Sequence, residues 1–366
     1  MALAVDKQTN GRAALTPVAA PVGPVPFEHE ELVVRKGRRS GVHCVVAVHS
    51  TALGPSLGGL RIWRYGETDD GIRDALRLAA AMTLKAAAAG LDLGGGKAVI
   101  CAPLEGLDGE RRRDALLDFG DLVESLDGRY ITAEDVGTSP SDLLTVRERT
   151  SHVTGLPLER GGSGDPSPFT AAGVRAAMRA CVRERFGASD LAGRRVVIIG
   201  LGHVGAALAK LLAEDGCSLV VTDISEGKRE LAAELGAEWI HPETAIEAEC
   251  DVLAPCALGG AITSANATDL HCEIVCGSAN NQLADDTAAE VLAERNVLYA
   301  PDFIANAGGL INVYRELKGY DERRALNLAE GIEGTIGRVL TAARERGVTP
   351  LAAARALARE RLEAAA

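Results

Sequence analysis

The sequence predicts an α/β protein of two domains with a cleft between them, the second built on a doubly wound parallel sheet. Three observations carry that expectation. Residues 195–223 read in order as a β-branched strand, a glycine-rich turn, a helix, a second strand and an acid. Apolar runs then recur at 251–256, 273–277 and 297–300, and each leads into small or amide residues. Strand C-termini have that composition where they line a ligand crevice. The first half holds apolar runs of its own, 45–48 and 98–101, with a helical pattern between them.

Taken from the N-terminus, residues 1–25 contain Ala, Pro, Val and Gly without clear periodicity, and a mobile tail is expected. Residues 26–152 form the first domain. There Thr68, Asp69 and Asp70 offer capping oxygens and negative charge to a helix. Ile72, Leu76, Ala79 and Met82 follow at helical spacing, and Gly90 ends the pattern. Lys85 therefore falls in the last turns. Gly94, Gly95 and Gly96 are expected to let the backbone approach a ligand. Lys97 then opens the buried run 98–101. Tyr130 and Ile131 read as the end of a strand, which puts Asp135 where strand gives way to loop. Ser139 or Ser141 can cap the next helix, so Asp135 is not needed for that.

Lys85 and Lys97 stand among Ala, Leu and Gly, and an ammonium there needs water or an anion. If both heads face one cavity, each disfavours the charge of the other, and poor solvation disfavours both. A substrate carboxylate neutralises one, and the other becomes a base near neutral pH. Two snorkelling surface lysines satisfy charge and spacing equally well. Asp135 at a strand end tips the balance towards a site, since a carboxylate there can exchange protons with Lys97 and a substrate nitrogen.

The second domain is expected over residues 153–335, after a Gly-rich loop at 161–166. Residues 196–199 form a buried strand, and Gly200, Gly202 and Gly205 complete G-x-G-x-x-G around Leu201, His203 and Val204. Asp223 ends the next strand, eighteen residues beyond Gly205. In this order the parts make a Rossmann dinucleotide fingerprint, with pyrophosphate on the helix N-terminus and the acid on a ribose hydroxyl. Asp223 repels a 2′-phosphate, so NAD is expected rather than NADP; Lys228 and Arg229 are the nearest cations. Asn280, Asn281 and Asn306 can offer amides to ribose, nicotinamide or substrate, or serve as turn residues. The Ala-, Arg- and Glu-rich end, 336–366, is expected to be helical and to pack back on the first domain.

Composition narrows the function classes. The chain has 366 residues, 47% of them hydrophobic, enough for two cores. A net charge of −12 without a dense basic run argues against nucleic acid as a partner. No apolar stretch reaches membrane-spanning length, and no secretory signal pattern opens the chain. Eight scattered cysteines form no CxxC, which fits reduced thiols in the cytoplasm. Cys272, Ile274 and Cys276 alternate like one strand face, so core thiols are expected there and no metal set.

Several segments together resemble the Glu/Leu/Phe/Val amino-acid dehydrogenase family, most closely its leucine and valine branch. They are Thr51-Ala-Leu-Gly-Pro-Ser-Leu-Gly-Gly-Leu-Arg61, Met82-Thr-Leu-Lys85, Gly94-Gly-Gly-Lys97, Thr132-Ala-Glu-Asp-Val-Gly-Thr138, Ala254-Pro-Cys-Ala-Leu-Gly259, Ser278-Ala-Asn-Asn-Gln-Leu283 and Asn306-Ala-Gly-Gly309. The resemblance implies NAD-dependent, reversible oxidative deamination of an L-amino acid by a homo-oligomer. It implies that Lys85 holds the α-carboxylate, Lys97 activates the attacking water and Asp135 shuttles protons to the substrate nitrogen. It also implies Thr170, Cys256, Ala257 and Asn280 beside the cofactor, and Gly58, Asn280 and Asn306 on the substrate.

Glutamate-using relatives carry a lysine and a serine at the positions matching Leu57 and Val313. Aliphatic residues there leave an anionic side chain desolvated without a partner. With Ala133 and Leu310, they make a pocket suited to leucine, valine or isoleucine. Leu310 replaces the valine of the leucine enzymes and narrows the pocket. Two departures stand out: the family's Gly-Asp-Pro turn after Lys97 is missing, and Leu84 takes the place of a tyrosine before Lys85. Two alternatives remain. A phenylalanine dehydrogenase has Leu57 and Leu310 crowding its ring. A silent NAD-binding regulator would have no use for Lys85, Lys97 and Asp135 together.

Overall fold

The computed structural model describes residues 27–365, so the tail expected at 1–25 lies outside the described residues. The first domain is a mixed sheet of β1 (Glu31–Lys36), β2 (His43–Ser50), β3 (Ser56–Arg64), β4 (Gly94–Ala102) and β5 (Tyr130–Glu134), in the order β1-β2-β4-β3-β5. β3 runs parallel to β4 and β5, while β2 is antiparallel to β1 and β4. Helices α1 (Thr68–Ala88), α2 (Gly109–Glu124) and α3 (Pro140–Arg147) accompany it.

Alternation along the strands decides which helix covers which face. Leu60, Ala98, Ile100 and Tyr130 pack with Leu116, Phe119 and Leu122 of α2. Val45, Ala47 and Val99 pack with Ala75, Leu76 and Ala79 of α1. The α1 face is thus the one that also carries Lys97.

Three local expectations need correction. Gly94, Gly95 and Gly96 lie inside β4, not in a loop against a ligand. A Cβ at Gly94 would lie 1.9 Å from Ser50 O, one at Gly95 2.1 Å from Thr83 N, and one at Gly96 2.7 Å from the Tyr130 ring. Gly95 lets α1 close onto β4, while Gly94 and Gly96 admit Ser50 of β2 and Tyr130 of β5. Second, Glu67 is the N-cap of α1 and makes no side-chain cap bond; Asp69 and Asp70 are first-turn charges, and Asp70 also accepts from Arg73 Nη1 at 3.1 Å. Thr68 already belongs to the helix, and its hydroxyl bonds His43 Nδ1 at 3.1 Å. Third, Tyr130 begins β5 and does not end a strand, although Asp135 still follows its last residue. Ser139 caps α3 in a capping box with Asp142.

The second sheet is wholly parallel, built from β6 (Arg195–Ile199), β7 (Ser218–Thr222), β8 (Glu238–Trp239), β9 (Cys250–Pro255), β10 (Cys272–Val275) and β11 (Leu298–Tyr299). Its order, β11-β10-β9-β6-β7-β8, reverses between β6 and β9, where nucleotides bind in doubly wound sheets. The helices of this half are α4 (Ser167–Phe186), α5 (His203–Glu214), α6 (Arg229–Glu234), α7 (Asp286–Glu294), α8 (Asp302–Ala305), α9 (Gly308–Glu316) and α10 (Glu322–Glu330), followed by α11 (Ile332–Arg346) and α12 (Pro350–Glu363). The division expected between 335 and 336 falls inside α11. That helix packs along α4 of the second half, whereas α12 returns to α1. Arg361 of α12 donates to Ala87 O and Leu91 O at 3.2 and 2.7 Å, a cation on the carbonyl end of α1. Among the described residues no helix is long and apolar enough to cross a membrane.

Candidate active site

Side chains of Leu57, Arg61, Lys97 and Ala133 project from the α1 face of the first sheet, and Asp135 follows the end of β5. Lys97 Nζ donates to Asp135 Oδ2 at 2.7 Å, and Arg61 Nε reaches the same oxygen at 3.2 Å. Gly59 makes this possible, since a Cβ there would lie 2.6 Å from Asp135 Cβ. The Lys97 side chain is 7% exposed and that of Asp135 is 24% exposed. Burial lowers the proton affinity of Lys97, and the attraction of Asp135 only partly restores it. For Asp135, burial favours the acid form, but Lys97 and Arg61 outweigh it and hold the carboxyl below its ordinary range.

Lys85 meets this group from the last turn of α1. Its Nζ donates to Asn306 Oδ1 at 2.7 Å, joining the two domains. Asn306 Nδ2 is engaged by Asn280 Oδ1 at 2.9 Å and Ser278 O at 3.2 Å, so the amide presents its oxygen to the lysine. Burial draws Lys85 down to about 8; Asp302 opposes the shift and Lys97 deepens it. An anion bound at Lys85 would restore its proton.

Leu57 and Ala133 from the first domain and Leu310 and Val313 from α9 are all buried in one apolar cluster, with Met82 packed against it. Gly58 is locked between strands: its carbonyl accepts from Tyr130 Oη at 2.6 Å, and a Cβ would lie 1.7 Å from Gly96 O. Thr170, in the first turn of α4, lies against the start of α9, where a Cβ at Gly309 would lie 2.8 Å from its hydroxyl. Asn281 has φ +52° and its carbonyl accepts from Gly260 N at 2.6 Å, so turn chemistry claims it.

At the glycine loop, Gly200 has φ +102° and packs on Ala257. A Cβ at Gly205 would lie 2.0 Å from Gly200 O and 3.3 Å from Cys256 Cβ. Gly202 faces open space and is the N-cap of α5, without a side-chain cap bond. The first N–H groups of α5, from His203 and Val204 onward, therefore stay available to an anion. Asp223 Oδ2 accepts from Leu201 N at 2.7 Å, and Oδ1 from Ser225 N at 2.8 Å. Leu201 itself is buried and spends its N–H on Asp223, so it shapes the loop without facing the crevice. An open turn, an uncapped helix start and a carboxylate at the end of β7 together fit a dinucleotide. A separate cavity of about 930 Å³ lies at the N-terminal ends of β6, β9 and β10, among Arg185, Arg195, His271 and Arg295, and contains none of these groups.

Sequence reasoning missed four site-forming residues. Arg61 and Asp74 stand behind Asp135, joined at 2.7 Å, and Tyr65 and Arg77 hold Asp74. Arg61 lies inside a quoted motif, and its place two residues after Gly59 on one strand face was the available signal.

Residues 27–152 match the model of the Glu/Leu/Phe/Val dehydrogenase dimerisation domain, and 220–366 match that of Glutamate/Leucine/Phenylalanine/Valine dehydrogenase. Residues 171–259 match the NAD binding domain of D-isomer specific 2-hydroxyacid dehydrogenase. Leucine dehydrogenase of Thermoactinomyces intermedius is 44% identical over 92% of each chain. Valine dehydrogenase of Streptomyces virginiae is 42% identical over 91% of this chain and 94% of its own. The crystal structure of L-tryptophan dehydrogenase from Nostoc punctiforme superposes with a TM-score of 0.81 at 37% identity, covering 92% of this chain and 97% of that one.

Proposed function

Since the chain belongs to the Glu/Leu/Phe/Val dehydrogenase family, we propose that it catalyses NAD-dependent, reversible oxidative deamination of a branched-chain aliphatic L-amino acid to its 2-oxo acid and ammonia. One observation supports the reading: Lys97 bonds Asp135, and Lys85, within electrostatic reach of both, bonds Asn306 of the second domain, while Leu57, Ala133, Leu310 and Val313 share one buried apolar cluster. In this reading residues 26–152 bind substrate and form the oligomer, 153–335 bind the nucleotide, and the enzyme is a homo-oligomer.

The ammonium of Lys85 takes the substrate α-carboxylate, which raises its proton affinity again. NAD, when bound, supplies the acceptor for the hydride that leaves the substrate α-carbon. The dinucleotide would rest on Gly200, Gly202, His203, Val204 and Gly205, with Asp223 at the ribose and Thr170, Cys256, Ala257 and Asn280 near the nicotinamide end. Lys97, in its neutral form, takes a proton from the water that attacks the substrate's C=N carbon. Asp135, ionised at rest, takes a proton from the substrate ammonium before the hydride leaves and returns it to the nitrogen once water has added; the C–N bond then breaks to release ammonia as the hydroxyl proton passes to the freed Asp135 carboxylate, leaving the oxo acid. An aliphatic wall leaves a side-chain carboxylate unpaired, so glutamate is rejected.

NADH formation with leucine, valine, isoleucine, phenylalanine, tryptophan and glutamate, repeated with NADP, tests the reading. Turnover is expected with the aliphatic substrates and NAD. Preference for an aromatic substrate, or turnover with glutamate, would overturn the pocket assignment. No turnover with any substrate would leave the silent regulator.

A further inference from the structure

We propose that Arg61 is a positioning residue for this reaction: anchored by Asp74, its guanidinium fixes Asp135 against Lys97 and, before substrate binds, keeps that carboxylate ionised whether or not the lysine carries its proton, ready to take the proton of the substrate ammonium. The proposal rests on the deamination reading and adds to it a residue that touches no substrate.

Arg61 projects from β3 between two acids. Its Nη1 donates to Asp74 Oδ2 at 2.7 Å and its Nε to Asp135 Oδ2 at 3.2 Å. Asp74 lies on α1, is 6% exposed, and is held from two further sides. Tyr65 Oη donates to its Oδ2 at 2.7 Å and Arg77 Nη2 to its Oδ1 at 2.8 Å. A carboxylate so fully bonded has little freedom, and the planar guanidinium transmits that placement to Asp135.

The electrostatic argument follows from shared geometry. Asp135 offers the same oxygen to Lys97 and to Arg61. Lys97 must lose its proton to act as a base, and at that moment a carboxylate with no other cation would be buried beside a neutral amine. Arginine keeps its charge throughout. The groups facing this assembly are Lys97 and Cys101 from β4, Asp74, Arg77 and Lys85 from α1, Tyr65 after β3, and Tyr130 and Glu134 from β5. Of these only Lys97 joins Arg61 in donating to the Asp135 carboxylate, and Arg77 is spent on Asp74. The positive charge of Arg61 also disfavours a proton on Lys97, in the direction a base requires.

The test compares the parent enzyme with Arg61→Gln, Arg61→Lys and the double variant Arg61→Gln/Asp74→Asn. The double variant removes the acid that would otherwise be left buried with fewer partners, so it guards against simple misfolding. Two readouts run together: the pH midpoint of Lys97 acetylation by acetic anhydride, followed by mass spectrometry, and kcat/KM against pH. Arg61→Gln is expected to raise the Lys97 midpoint by at least about 0.5 pH unit and to move the acid limb of kcat/KM the same way. The double variant moves both less, in the same direction, and Arg61→Lys keeps them nearest the parent. Turnover that falls equally at every pH, with the Lys97 midpoint unmoved, would overturn the proposal and leave Arg61 a structural residue. A parent enzyme that turns over no amino acid would refute the deamination reading and the catalytic purpose with it. That failure is distinguishable, because the acetylation midpoint still reports whether Arg61 acts on Lys97.

Discussion

Gly94, Gly95 and Gly96 sit inside β4 with protein atoms pressed against each of them, while Gly202, between the packed Gly200 and Gly205, faces open space. In the first set Gly95 lets α1 close onto β4, on the face that carries Lys97, and Gly94 and Gly96 admit neighbouring strands. The second leaves room and exposes the start of α5. A glycine run therefore does not by itself announce a ligand. What its missing side chains would strike decides whether it gathers catalytic groups or makes room for a cofactor.

Each half can be broken without the other. The largest expected effect belongs to the first: Lys97→Ala should lower turnover about a thousandfold, the scale of a lost general base, with NADH affinity by fluorescence unchanged. A proportionate loss of NADH binding would mean the halves are not separable. Gly95→Ala puts a methyl group against the Thr83 backbone and should cost about 3 kcal/mol in urea unfolding, because strand and helix must part. Gly202→Ala sharpens the contrast. Its Cβ meets nothing, so stability should stay within about 0.5 kcal/mol. NAD should nonetheless bind at least about tenfold more weakly, since the methyl group fills the approach to the N–H groups of α5. Equal loss of stability from both glycine variants would erase the distinction.

The smallest effect concerns pH. Lys85 titrates at about 8, below its ordinary value, so it is charged on the acid side and neutral on the alkaline side. Binding of 4-methylpentanoate, which has no amine of its own, should weaken about twofold from pH 7 to pH 8 and more steeply above. Calorimetry showing a flat profile to pH 9 would remove Lys85 as the carboxylate anchor.

The nucleotide half was readable from residues alone because its signals are local. Strand, glycines, helix and acid follow one another from Arg195 to Asp223, and the sheet is parallel as expected. Lys85, Lys97 and Asp135 stood out because charge among small apolar residues is unusual. Their partners were hidden by sequence distance. Asn306 lies 221 residues from Lys85, and the register of β3 against α1 decides whether Arg61 meets Asp74. Glycine was misread at 94–96 because the sequence does not say which neighbour a missing side chain would strike. Thr68 was misread as a cap because a single residue separates cap from first turn.

A crystal structure with NADH and 4-methyl-2-oxopentanoate addresses the central claim most directly. The account predicts the carboxylate within about 3.2 Å of Lys85 Nζ, the 2-oxo group between Lys97 and Asp135, and the alkyl chain against Leu57 and Leu310. An oxo acid bound elsewhere, with the two ammonium groups and the Asp135 carboxylate turned to separate regions of solvent, would contradict it.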